Sequence, residues 1–261
     1  MFTKNYKHFV PVGFEPTTHR YARQVFYRTR QRARRSNERI VLPTVPFITR
    51  CSAADRACLK SAAQRAVPVI AAGVPALGLS SLDPMRVGHV SAERAGLDME
   101  FSDTLVRGLR HCVVLDLQRN GPQMSVDLQC SVVLVGNYKL DGKLLVFPIS
   151  GSGLYKITIR DIVVKVTLDT GVRSEGGERY WTVLGWRHTA DVLTGVVFHF
   201  QNLFNGDETL AKAVSRFANS HWRDIFQEVS PPIVKAIVAQ IVGETSKLFE
   251  KVPIRELSLD S

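Results

Sequence analysis

The chain has 261 residues, 45% of them hydrophobic, and a formal net charge of +10. That length suits one large domain or two small ones with a substantial buried core. The charge is lopsided: residues 1–46 hold ten Lys/Arg against Glu15 and Glu38, so the remainder, with 24 basic and 22 acidic residues, is nearly neutral and needs no polyanionic partner. No run of eighteen apolar residues occurs, so a membrane span is not expected. The N-terminus shows no apolar h-region of a secretory signal. Four cysteines, Cys51, Cys58, Cys112 and Cys130, fit no zinc spacing.

Residues 1–41 carry a basic cluster at Arg28, Arg30, Arg32, Arg34, Arg35 and Arg39. They read as a disordered tail. The alternative is a nucleic-acid or localisation patch, although no aromatic platform is interleaved with the arginines. After Val41-Leu42-Pro43, Ser52 can cap a helix, with Asp55 in the capping-box position. The helix runs to about Gly73, with a kink expected at Pro68. On a continuous helix Cys51 and Cys58 would lie about 10 Å apart. A disulfide needs roughly 4.4–6.8 Å. Cys51 precedes the cap, so a fold-back there would bring it to Cys58; otherwise both thiols are unpaired.

Gly73-Val74-Pro75 and Asp83-Pro84 punctuate the chain, and strand patterns follow. Val113, Leu115 and Leu117 alternate with polar residues, as do Met124, Val126, Leu128, Cys130, Val132 and Leu134. Asn120-Gly121-Pro122 is the turn between them. Matching their apolar faces sets Val113 opposite Cys130 and turns Cys112 to the other face. A Cys112–Cys130 bond would then require a bulge and is not expected. Asp141-Gly142 and Gly151-Ser152-Gly153 read as turns flanking a strand from Lys143 to Ser150. Tyr155, Ile157 and Ile159 alternate in one phase and Ile162, Val164, Val166 and Leu168 in the other, which predicts a β-bulge near Arg160-Asp161. Gly171 to Gly177 reads as a loop, and Tyr180 to Phe200 as two more strands.

From Asp207 to Val252 apolar residues recur in steps of three and four: Leu210, Val214, Phe217, Trp222, Ile225, Val229, then Ile233, Ile237, Ile241, Leu248 and Val252. This predicts one very long helix, or two joined at Ser230-Pro231-Pro232, about 60–70 Å in length. Asn205-Gly206-Asp207 supplies a turn and a capping carboxylate. The architecture expected is α+β: a long C-terminal helix wrapped by a strongly curved antiparallel sheet, with a short N-terminal helix.

No catalytic constellation stands out. There is no nucleophile elbow, phosphate loop or dinucleotide fingerprint. The seven histidines, His8, His19, His89, His111, His188, His199 and His221, form no zinc arrangement. No metal or cofactor is expected, and nothing points to an enzyme. The surplus is apolar: a long-stranded sheet, two helical stripes and many large aromatics. They make either an ordinary filled core or the wall of an elongated apolar tunnel.

Several stretches together resemble the insect takeout / haemolymph juvenile hormone-binding protein family. They are Leu42-Pro43 leading to Cys51 and Cys58; Gly73-Val74-Pro75-Ala76-Leu77 with Leu82-Asp83-Pro84-Met85; Gly136 to Gly142 with Phe147 to Gly153; and Leu203-Phe204-Asn205-Gly206-Asp207 with Phe217 to Trp222 and Val252-Pro253-Ile254. They run in order through residues 42–257. The resemblance implies a tubular lipid-binding fold over that domain and a Cys51–Cys58 disulfide. It implies a secreted, non-enzymatic carrier of juvenile hormone-like terpenoids, fatty acids or related lipids, in a family tied to hormone transport, feeding, circadian output and chemosensation. The family carries a signal peptide where this chain has its basic tail, so residues 1–41 read as disordered or as a gene-model error.

The expectation is therefore a monomeric extracellular carrier of a small hydrophobic ligand, with no nucleic-acid partner. From inward phase and aromatic size, the expected ligand-contacting set is Val69, Leu77, Leu128, Leu134, Tyr138, Phe147, Tyr155, Ile157, Trp181, Phe198, Phe200, Phe217, Trp222 and Ile225. Tyr138 or Tyr155 would orient a polar group of the ligand. The rival readings are a nucleic-acid binder acting through the arginine cluster, and an interaction module with a filled core.

Overall fold

The computed structural model describes residues 45–145 and 147–260. The basic segment 1–41, its arginine cluster and the boundary drawn after Val41 lie outside these residues.

Helix α1 spans Arg56–Ala72. Its cap is Asp55, whose carboxylate accepts from the Cys58 amide at 2.9 Å. The expected cap, Ser52, accepts only from Ala54 in the turn before it, so the helix starts about a turn later than its capping-box pattern suggests. It is unbroken across Pro68 and ends at Gly73, whose φ of +88° suits glycine.

Seven antiparallel strands follow: β1 Met85–Val87, β2 Val90–Arg94, β3 Leu97–Arg107, β4 Val113–Asn120, β5 Gln123–Leu144, β6 Phe147–Glu175 and β7 Glu178–Phe200. The main path is β1-β3-β5-β6-β7, with β2 also on β3 and β4 also on β5. The turn at Asn120-Gly121-Pro122 is where the residues place it. Other turns are not. Strand β5 runs straight through Asp141-Gly142, β6 through Gly151-Ser152-Gly153 and most of the expected 171–177 loop, and β7 is one strand where two are expected. Gly142 serves a close approach instead of a turn: its φ is +126°, and a methyl group there would collide with the Gly96 carbonyl.

Two of the sheet's register shifts decide how the alternation reads. In β6 the partner positions shift between Arg160 and Ile162, and Asp161 takes a left-handed φ of +53°. The apolar phase flips there as the alternation predicts: Ile157 and Ile159 are buried before it, Ile162 and Val166 after it. The second bulge was not expected. Asp116 to Asn120 pair with β5 in the anticipated register, but the register slips at Leu115, so Val114 faces Leu128 and Val113 faces Gln129. One step further, Cys112 falls opposite Cys130. The two are disulfide-bonded, with Cα atoms 4.4 Å apart, close to the spacing of directly opposed residues in a non-hydrogen-bonded pair. The expectation against this bond is corrected by that one extra residue. The same slip exposes Val113 and Leu115 and buries Val114.

The C-terminal third holds α2 Glu208–Ser220, α3 Trp222–Lys251 and α4 Ile254–Leu257. Asp207 caps α2, its carboxylate accepting from the Thr209 and Leu210 amides at 2.9 and 3.0 Å. The break lies at His221, with φ −111° and ψ 35°, and not at Ser230-Pro231-Pro232, which α3 absorbs. Neither proline can donate to the carbonyl four residues back, yet the helix continues through them.

Helix α3 makes its closest backbone approaches to β7 and to β2. These strands lie at opposite sides of the sheet. Four inter-strand steps separate them, and the sheet curls around α3, which meets both sides. By length and composition α3 could cross a membrane. In the fold its apolar stripe, including Ile225, Val229, Ile233, Val238 and Val242, is buried in the interior.

Candidate functional site

Between α3, α1 and the concave face of β4–β7 lies a cavity of about 380 Å³. Three surfaces build it. Helix α1 contributes Leu59, Ala62, Ala63, Ala66, Val67, Ile70 and Ala71, spacings of three and four that form one stripe, small in its middle. Gln64, off that stripe, ties α1 to the sheet: its amide donates to the Cys112 carbonyl at 3.1 Å and accepts from the Val114 amide at 2.7 Å, completing the edge of β4. The sheet contributes inward-alternating residues, among them Met124, Leu128, Val132, Ile159, Ile162, Val164 and Leu168, together with the Cys112–Cys130 pair. Helix α3 contributes a stripe from Phe226 to Phe249. Glu244, buried at 5% exposure, anchors that helix by accepting from the Ser80 amide and from Lys247.

The wall is almost wholly apolar. Its polar members are Thr49, Gln118, Ser125, Ser230, Thr245 and one charged residue, Arg119. Thr245 satisfies itself by donating to the Ile241 carbonyl at 3.0 Å.

Of the residues expected to contact ligand, Leu128, Leu134, Ile157, Trp181 and Phe198 lie on this wall. Phe200 and Ile225 line a small adjoining void of about 20 Å³ beneath α2. The rest lie elsewhere. Val69 is off the α1 stripe, whose wall members Val67 and Ile70 flank it. Leu77 is packed in the core. Phe147 is 39% exposed and leans on Phe217, ring centroids 4.5 Å apart. Trp222 lies under the Arg223 guanidinium.

The two tyrosines have their hydroxyls engaged by protein. Tyr138 donates to the Gln201 carbonyl at 2.7 Å. Tyr155, 1% exposed, shares a 2.6 Å hydrogen bond with Thr104. Burial pushes both phenols up to about 12, in Tyr155 against the opposing pull of the Thr104 hydrogen bond.

Sequence reasoning missed most of the α1 and α3 contributions, although both stripes were visible as periodicity. It also missed Arg119. That residue shares the inward phase of Leu117 on the hairpin side of the Leu115 bulge, so its placement follows from the alternation.

A second, open groove of about 550 Å³ is bordered by Ser91, Glu93, Asp98, Lys139, Asp141 and Asn205. Its charged lining makes it a poor host for an apolar molecule. Among the described residues no cluster of three or more His, Cys, Asp or Glu side chains could hold a metal ion.

A family model described as Haemolymph juvenile hormone binding protein (JHBP) matches residues 37–259. The chain belongs to this family. Its fold is the takeout-like tubular lipid-binding fold: the crystal structure of Takeout 1 from Epiphyas postvittana superposes with a TM-score of 0.79 at 25% identity, covering 81% of this chain and 100% of that one. The circadian clock-controlled protein daywake of Drosophila melanogaster is 24% identical over 224 residues, 80% of this chain and 86% of that protein. Its counterpart in Drosophila yakuba is 23% identical over 225 residues, with the same coverage. The family consists of non-enzymatic binding proteins and implies carriage of a hydrophobic ligand. The Cys51–Cys58 disulfide implied by the resemblance is present, with Cα atoms 5.8 Å apart. Cys51 precedes the Asp55 cap, as the fold-back reading required.

Proposed function

We propose that the protein is a monomeric, extracellular carrier that holds one small hydrophobic ligand, a juvenile hormone-like terpenoid, a fatty acid or a similar lipid, in the cavity between α3 and the curled sheet. The observation that carries this reading is the roughly 380 Å³ of apolar-walled space. A filled core closes to near-crystalline density and leaves few voids larger than a water molecule. Transfer of the ligand's apolar surface from water would drive binding, at about 25 cal/mol per Å². Two disulfides support an oxidising compartment, since cytosolic thiols are kept reduced.

The experiment is organic extraction of the purified protein followed by mass spectrometry, paired with displacement of a fluorescent fatty acid. Recovery of a stoichiometric lipid, and saturable displacement by it, is the expected result. Repeated absence of any lipid together with no displacement would overturn the proposal.

A further inference from the structure

We propose that Arg119 is the headgroup site of this cavity, where its guanidinium takes the carboxylate of a single-chain anionic lipid in exchange for the Asp260 carboxylate it holds here. The proposal rests on the carrier reading and specifies the class of ligand.

Arg119 is the only charged residue on the cavity wall among the described residues. Its side chain is 12% exposed, and its guanidinium lies 5.2 Å from the centre of the Trp181 ring. A cation so placed needs a counter-charge, because an uncompensated buried charge is costly. Two contacts now satisfy it: Ser258 Oγ and Asp260 Oδ2, each accepting at 2.7 Å. Asp260 reaches in from the solvent side and is 40% exposed. A guanidinium presents five donors in a flat fork that matches one carboxylate, so the site is already shaped for the group proposed.

The place is also right for a headgroup. Arg119 pairs with Met124 across the β4–β5 ladder, next to the hairpin turn. The wall runs from Met124 to Leu134 along β5, roughly 33 Å at 3.3 Å per residue. One end carries the single cation, and the other ends among Phe101, Leu134 and Phe198. A long single chain with a polar terminus has that polarity. One cation on the wall suits a monoanion. A neutral ester would bury the same chain but gain no charge-assisted bond.

Asp260 belongs to a C-terminal strap that stays anchored without Arg119. Ser258 Oγ donates to the Cys51 carbonyl, the Leu259 amide donates to the same carbonyl, and Asp260 accepts from the Ala53 amide. Displacing the carboxylate therefore does not require the strap to leave.

The test compares palmitic acid with methyl palmitate at neutral pH, each displacing the neutral dye N-phenyl-naphthylamine from the full chain. The acid is expected to bind about tenfold more tightly than the ester. Arg119→Gln should erase that gap. Asp260→Asn, outside the cavity, should widen the gap by removing the competitor. Equal affinities in the wild type, or an Arg119→Gln loss shared by acid and ester, would overturn the proposal and leave the carrier reading standing. Binding of neither lipid would overturn both. Should Arg119→Gln fail to fold, an Asp260→Asn protein with unchanged acid preference overturns the proposal, and a widened one supports it.

Discussion

Asp83 and Arg110 clasp each other twice: the Arg110 Nε donates to the Asp83 carboxylate at 3.1 Å, and its terminal nitrogen donates to the Asp83 carbonyl at 2.7 Å. The same carboxylate, 6% exposed, accepts from the Gly108 and Arg110 amides. It thereby pins the segment entering β1 to the turn that leaves β3. Burial alone would raise the Asp83 pKa, but the Arg110 and Gly108 amide hydrogen bonds and the guanidinium outweigh it and leave the pKa below its ordinary value. A depressed folded-state pKa stabilises the fold above the unfolded carboxyl pKa of about 3.9, and that contribution is lost as pH falls through the folded value. Asp83→Ala should cost about 1–3 kcal/mol at neutral pH, because it leaves two part-buried amides and a guanidinium without their acceptor. The penalty should shrink below about pH 4. Urea unfolding at two pH values checks both statements.

The two disulfides differ in reach. Cys51–Cys58 spans a sequence separation of 7 and Cys112–Cys130 one of 18. Loop-closure entropy then assigns about 2.5 kcal/mol to the first and about 3 kcal/mol to the second. Paired Cys→Ala variants should fall in that order in chemical denaturation. Only loss of the Cys112–Cys130 bond, which lies on the cavity wall, should also weaken lipid binding.

Tyr155 and Thr104 test whether a buried hydroxyl pair serves structure or ligand. Thr104 is 0% exposed and its hydroxyl meets Tyr155. Tyr155→Phe should cost about 1–3 kcal/mol, and adding Thr104→Val should recover much of it, since removing both partners orphans neither. Lipid affinity should stay constant across the three proteins, measured by dye displacement. A drop in affinity with stability unchanged would return Tyr155 to a ligand-orienting role.

Ala66 projects from the middle of the α1 stripe into the cavity. Ala66→Phe should therefore cost less than about 1 kcal/mol, against roughly 1–3 kcal/mol for overpacking a filled core. It should weaken lipid binding at least about tenfold by occupying the ligand's volume. A large loss of stability would identify the interior as already full.

Much of this fold is legible where a local rule acts alone. Asp207 caps because its carboxylate meets two free amides, and the Asn120–Pro122 turn and the Arg160–Asp161 bulge are written in the alternation. The misreadings share a cause: a local signal overridden by partners distant in sequence. Gly142 and Gly151 look like turn residues, yet partners on both sides keep them in the sheet, β3 and β6 for Gly142 and β5 and the Leu203 bridge for Gly151, because glycine admits a neighbouring backbone that a side chain would exclude. Pro231 and Pro232 look like a helix break, but α3 runs unbroken through them, and the chain breaks at His221 instead. The Leu115 bulge has no compositional mark, so the Cys112–Cys130 pairing was hidden with it. The cavity was legible only as an excess of apolar stripes. Which residues border empty space depends on how closely α3 approaches each strand.

Helix α3, half of the container, follows every strand it covers in chain order, and Ser258 reaches a carbonyl 207 residues upstream. At about 5–20 residues per second on the ribosome, the curled strands must wait for seconds with their greasy inner surface bare. Until that closing rod arrives, nothing later in the chain covers the inner face of the strands.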